Sequence, residues 1–186
     1  MSIDIEIGLM IQHFSETIYP EIVDHYRYLH QHPELSYQEK FSSEYITSFL
    51  DSEGISYRSR IGGYGILAWV KGEKPGTGNT IAFVADMDAL PVKELNDVPY
   101  KSTNEGVMHA CGHDSQVASM MGAVKIVNAL RKEFCGNRLF VFQPGEELSP
   151  GGADLMIKAG VFDDYQRDFI VKQHYPQARS VFNPVQ

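Results

Sequence analysis

Apolar positions in this chain follow two patterns. Short uninterrupted apolar runs at residues 81–85, 139–142 and 169–171 suit strands in the interior of a sheet. Elsewhere the spacing is helical. Val117, Met120, Met121, Val124, Val127 and Leu130 recur at i, i+3, i+4 and i+7 and predict a helix ended by Gly136. Phe41, Tyr45 and Phe49 predict a second helix whose apolar stripe packs on the sheet, with Ser36 and Glu39 as a capping box and Gly54 as the stop. Residues 5–29 also show helical spacing, interrupted at Pro20, which reads as two short helices or one kinked helix. Residues 152–158 predict a short helix stopped at Gly160, and 55–61 with 66–70 predict strands joined through Gly62, Gly63 and Gly65.

Alternation of strand and helix along the second half implies right-handed crossovers. The fold class is therefore α/β, with a mixed, mainly parallel sheet flanked by helices and an early hairpin adding antiparallel pairing at one side. No further strand or helix is predicted beyond His174. With 186 residues the chain is long enough for one domain with a full core, and its 43% hydrophobic and 22% charged residues are ordinary for a globular protein. A net charge of -8 without a basic stripe argues against nucleic acid as a partner. No apolar run approaches the ~20 residues of a membrane span, and the first thirty residues lack a secretory pattern, so the expectation is no membrane association and a cytoplasmic location. Cys111 lies between two histidines, so a thiolate ligand is a better use for it than a disulfide with Cys135.

Each of the three apolar runs leads into metal-type side chains. The first precedes Asp86 and Asp88, the second Glu146 and Glu147, and the third His174. In an open α/β sheet, strands far apart in sequence deliver their carboxyl ends to one crevice. Cys111 and His113 precede the helix at 117, where the helix dipole and backbone N–H groups favour thiolate over thiol. Read blandly, Cys111 is a small buried side chain and His113 opens the helix. Two adjacent glutamates repel each other in a poorly solvated pocket unless a cation compensates, which suggests one on a metal and its neighbour free to take a proton from water. The pair could equally lie on a solvated surface. Asp86 and Asp88 share one side of an extended chain, and Asp88 could bind metal, orient a histidine ligand, or simply end the strand. The chain lacks G-x-S-x-G, H-E-x-x-H and G-x-G-x-x-G patterns, which favours metal-assisted hydrolysis over serine or nucleotide chemistry. A cysteine hydrolase using Cys111 with a histidine base is a further reading.

Five ordered blocks span nearly the whole chain: LHQHPELSYQE at 29–39, ADMDALPVKE at 85–94, MHACGHD at 108–114, FQPGEE at 142–147 with PGGADLMIKAGV at 150–161, and QHYP at 173–176. In these the chain resembles the amidohydrolase branch of the dinuclear-metal aminoacylase and carboxypeptidase superfamily, which includes hippurate hydrolases, indole-acetyl-amino-acid hydrolases and N-acetyl-diaminopimelate deacetylases. The resemblance implies a zinc-peptidase-like catalytic domain in which Cys111, His113, Glu147 and His174 hold one or two divalent ions (Zn, Mn, Co or Ni). Glu146 is then the general base and Asp88 supports the site. The implied reaction is hydrolysis of the amide of an N-acyl amino acid or small peptide.

Members of that branch are longer, with an inserted lid and dimerisation domain, and form homodimers. The expectation is that residues 1–186 are the amino-terminal portion of the catalytic domain, its carboxy-terminal part and the lid being absent. The alternative is a catalytically silent fragment that at most binds metal or a partner chain.

Overall fold

The computed structural model describes residues 3–173, so His174 lies outside the described residues. Helices α1 (Ile3–Gln31) and α2 (Lys40–Ser52) precede the hairpin of β1 (Ser56–Ile61) and β2 (Gly65–Lys71). Strand β3 (Thr80–Asp86), helix α3 (His113–Ala129), β4 (Asn137–Gln143), helix α4 (Gly152–Lys158) and β5 (Phe169–Lys172) follow. The sheet order is β1-β2-β4-β3-β5. Strand β3 runs parallel to both β4 and β5, while β2 runs antiparallel to β1 and to β4. The sheet is therefore mixed and flanked by helices, as the alternation predicts, and the hairpin enters it through β2.

One face packs against α1, α2 and α3 through Leu29, Ile46, Leu50, Ile66, Met121, Phe140 and Phe142. The other carries a smaller cluster of Leu67, Ala82, Leu139, Val141, Met156 and Val161, partly roofed by α4. Strand β3 is less covered than its apolar sequence suggests: Phe83 and Val84 are half-buried, and every residue of the edge strand β5 is exposed. No helix among the described residues is long and apolar enough to cross a membrane.

Helix α1 continues through Pro20 as a single helix. A proline removes one backbone hydrogen bond, but α1 lies along α3, where Lys125 reaches Glu21 at 2.8 Å and Glu53 of α2's carboxyl end at 2.9 Å. The capping box expected for α2 does not form. Glu34 caps the helix instead, accepting from the backbone N–H groups of Phe41 and Ser42 at 3.0 and 2.8 Å. Ser36 and Glu39 are drawn elsewhere by stronger partners. Ile46, Phe49 and Leu50 enter the core, whereas Phe41 and Tyr45 turn toward α1, with ring centroids 4.9 Å from His32 and 4.6 Å from Tyr28 respectively.

Candidate metal centre

Strands β3 and β4 are parallel neighbours with Asp86 opposite Gln143, so the segments that leave them start at one level. The N–H of Met87 donates to the carbonyl of Gln143 at 2.9 Å and keeps the two exits together. Leu90 and Met108 form an antiparallel bridge that returns the intervening loop to the same edge, where α3 begins at His113. Gly145 turns the chain after β4 with φ at +59°, and a Cβ there would collide with the ring of Tyr37. Only glycine fits both demands.

His113 is the hub. Its Nδ1 lies 2.8 Å from the Asp88 carbonyl and 3.4 Å from Asp88 Oδ1. A carbonyl can only accept, so Nδ1 carries a proton, and Nε2 is the ring atom whose lone pair would serve an ion once the ring is neutral. Nε2 stands 3.9 Å from Asp86 Oδ2, Glu146 Oε2 and Glu147 Oε1 alike. Two triads result, Cys111–His113–Glu147 and Asp86–His113–Glu146, each with its donor atoms within 4.8 Å of one another. Lys172, at the end of β5, places Nζ 2.8 Å from Asp86 Oδ2 and 3.9 Å from Glu146 Oε1.

The segment 36–39 braces this edge. Ser36 Oγ donates to Asp88 Oδ2 at 2.7 Å, and the Glu147 N–H donates to the same oxygen at 2.9 Å. The Gly145 N–H donates to Glu39 Oε1 at 2.7 Å, and Tyr37 donates its hydroxyl to the Leu148 carbonyl while accepting from the Gly151 N–H at 3.0 Å. The loop that carries both glutamates is thereby held at both ends.

Charge is strongly unbalanced here. Burial alone would raise the Asp88 carboxyl, but hydrogen bonds from His113, Ser36 and the Glu147 and Glu146 backbone hold it down at about 2. Burial pushes Asp86 up, opposed by Lys172 and His113. Burial also opposes charge on His113, yet Asp88 and Asp86 raise it above the usual imidazole range. The expected thiolate at Cys111 is overturned for the metal-free protein: burial, then Glu147, Glu146 and Asp86, push the thiol up to about 12. Burial and three nearby carboxylates together outweigh a helix dipole worth only a fraction of a charge. A protonated thiol of that kind is a poor nucleophile, which speaks against the cysteine-hydrolase reading.

The donor set fits a divalent ion. Tetrahedral bonds of about 2.0–2.3 Å put donor atoms about 3.3–3.8 Å apart, so the spacings seen need only a small contraction. Sulfur, imidazole and carboxylate suit zinc and neighbouring transition metals, and the surplus of carboxylates around one imidazole is what such an ion would neutralise.

Asp88, Cys111, His113, Glu146 and Glu147 thus converge, while Asp86, visible beside Asp88 in sequence, enters a second triad. Lys172 and the brace from Ser36, Tyr37 and Glu39 were not anticipated. The brace lies within the 29–39 block, but a local capping pattern masked its long-range partners. A second missed network joins His30 to Asp114 Oδ2 at 2.6 Å and to Glu94 Oε1 at 3.0 Å, all three buried.

Comparison with known proteins sets this geometry in context. The profile of "Peptidase family M20/M25/M40" matches residues 82–182, more than half of the chain. An N-acyl-L-amino acid amidohydrolase of Geobacillus stearothermophilus is 40% identical over 164 residues, 88% of this chain and 43% of that protein. An uncharacterized hydrolase of Staphylococcus epidermidis is 46% identical over 152 residues, 81% of this chain and 38% of that protein. The crystal structure of Bacillus subtilis YXEP, described as a dinuclear metal binding peptidase from the M20 family, superimposes with a TM-score of 0.79 at 36% identity, covering 87% of this chain and 44% of YXEP. Across these two relatives the chain spans 38% to 43% of their length.

Proposed function

Since the chain belongs to peptidase family M20/M25/M40, we propose that it carries the amino-terminal part of the catalytic site of a metal-dependent amidohydrolase, cleaving the amide of N-acyl amino acids or small peptides. The convergence of Cys111, His113 and Glu147 donor atoms within 4.8 Å, beside the neighbouring carboxylate of Glu146, is the observation that carries this reading. The name of the Geobacillus relative supports the substrate class. A cavity of about 520 Å³ adjoining Glu146, walled by Val84, Val141, Met156 and Phe162, offers room for an apolar acyl group.

Cys111, His113 and Glu147, with His174 as a fourth ligand, would hold the divalent ion: zinc, manganese, cobalt or nickel, one or two per site. When bound, such an ion supplies Lewis acidity for the amide carbonyl and lowers the pKa of water. Glu146 takes the proton of the attacking water and hands it to the leaving amine. Asp88 holds His113 in the tautomer that aims Nε2 inward. The enzyme so read works in the cytoplasm, and its full-length relatives are homodimers.

Hydrolysis of acetyl-, benzoyl- and indoleacetyl-amino acids tests the proposal, with loss on adding chelator and rescue by zinc, manganese or cobalt as the expected result. Hydrolysis that persists in chelator would overturn it. A second reading, a chain that binds metal or a partner without turnover, draws on the short span relative to its matches. Comparing turnover with that of a chain extended past Gln186 separates the two.

A further inference from the structure

Tyr37 stands in a backbone conformation that its own side chain disfavours. Its φ of +65° lies in the left-handed region, where a Cβ crowds the backbone, and a residue stays there only when its surroundings hold it. Three contacts do so. The Tyr37 N–H donates to Glu39 Oε1 at 2.9 Å, and the ring fills the hollow left by the missing Cβ of Gly145. The hydroxyl enters the turn beyond Glu147, donating to the Leu148 carbonyl and accepting from the Gly151 N–H at 3.0 Å. That turn also closes on itself, since the Gly151 N–H donates to the Leu148 carbonyl at 3.0 Å. The phenol is therefore not needed to form the turn; what it adds is a tie to the segment 36–39.

Such a tie matters because packing supplies little here. Residues 147–150 are exposed, and repulsion among Asp86, Glu146 and Glu147 around His113 favours swinging the loop outward. Asp88 holds the inner side of the loop, its Oδ2 accepting from the Glu147 N–H at 2.9 Å, and Tyr37 holds the outer side. Glu39, fully buried, fixes the strained backbone by accepting from the Tyr37 and Gly145 N–H groups on one oxygen. We propose that Tyr37 is a positioning residue for the metal centre: its phenol clasps the loop from outside and keeps the Glu147 carboxylate beside Cys111 and His113 before an ion is there to hold it. This rests on the metal-centre reading above and deepens it by assigning what places Glu147. A ligand already in position loses less freedom when the ion arrives, so the clasp acts on ion affinity.

Zinc titration of the full chain, alongside amide hydrogen exchange, tests this. Tyr37→Phe keeps the ring in the Gly145 hollow and removes both bonds to the loop. It is expected to weaken zinc binding by about 10–100-fold and to speed exchange within residues 145–151 alone. The urea midpoint is expected to stay close to wild type, because the bond to Leu148 is exposed and contributes little to folding. Glu39→Gln, which keeps an oxygen for the Tyr37 and Gly145 N–H groups, is expected to retain wild-type zinc affinity, and Glu39→Ala to lose affinity as Tyr37→Phe does. Wild-type affinity in Tyr37→Phe would overturn the proposal. So would a loss of affinity matched by an equivalent fall in the urea midpoint, the mark of a purely structural role. No zinc binding by the folded wild-type chain would instead refute the metal centre itself, and exchange at 145–151 in Tyr37→Phe would then decide the clasp alone.

Discussion

His30 and His113 are both buried and both held by carboxylates, yet they are finished to different degrees. Both ring nitrogens of His30 are taken, Nδ1 by Asp114 and Nε2 by Glu94, and the remaining oxygens accept from the Ser115 and Ser102 backbone. Nothing in that cluster asks for a ligand. His113 is anchored through Nδ1 on the Asp88 carbonyl, and its Nε2 faces three carboxylate oxygens at 3.9 Å. The lesson is that burial and acidic neighbours do not mark a metal centre by themselves. Excess negative charge around an inward-facing nitrogen is what sets the candidate centre at His113 apart.

Disturbing the His113 cluster should affect chemistry, and disturbing the His30 cluster should affect stability. The largest expected effect is on turnover. Glu146→Gln should lower hydrolysis of an N-acyl amino acid by about 10²–10⁴-fold with metal content unchanged, whereas Glu147→Gln should weaken metal retention itself. Equal metal affinity in the two variants would show the roles to be misassigned. His30→Ala should leave Asp114 and Glu94 as unpaired buried charges and cost about 3–5 kcal/mol in urea unfolding; a metal count that fell with it would merge the two clusters.

The third prediction uses pH. Hydrogen bonding to Asp114, against the opposing effect of burial and with Glu94 assisting, raises His30 to about 9 from 6.5. A folded-state pKa above the unfolded one contributes stability that is complete below the unfolded value and is lost as pH rises through the folded one. Unfolding free energy should therefore fall between about pH 6.5 and 9 by on the order of 3 kcal/mol, and His30→Gln should flatten that slope. The smallest effect belongs to Asp88→Asn, which keeps the fold and the carbonyl clamp but removes the carboxylate charge 3.4 Å from His113 Nδ1, lowering metal affinity by about 10–100-fold. Calorimetric titration of zinc into the two proteins measures it.

What was legible in the sequence follows from range. The strands at 81–85 and 139–142, the α3 stripe and the helix at 152–158 are local patterns, and strand-end logic alone placed Asp88, Glu146 and Glu147 on one edge. The Ser36–Glu39 spacing was equally local and misled, because Ser36 answers to Asp88 and Glu39 to Gly145 across the fold. The thiolate expected at Cys111 failed in the metal-free protein because it weighed the helix start and neither the burial of the sulfur nor the carboxylates that folding gathers around it. Lys172 carries no pattern of its own; its meaning comes from lying beside β3. The His30 cluster joins residues from three sequence regions and has no spacing to read.

The clamp on His113 Nδ1 is a main-chain oxygen. Every amino acid that could replace Asp88 keeps that oxygen, so the ring's orientation is inherited with the backbone and is largely proof against point mutation. Drift in sequence can therefore erode the carboxylates around the imidazole one at a time while the imidazole itself stays aimed inward.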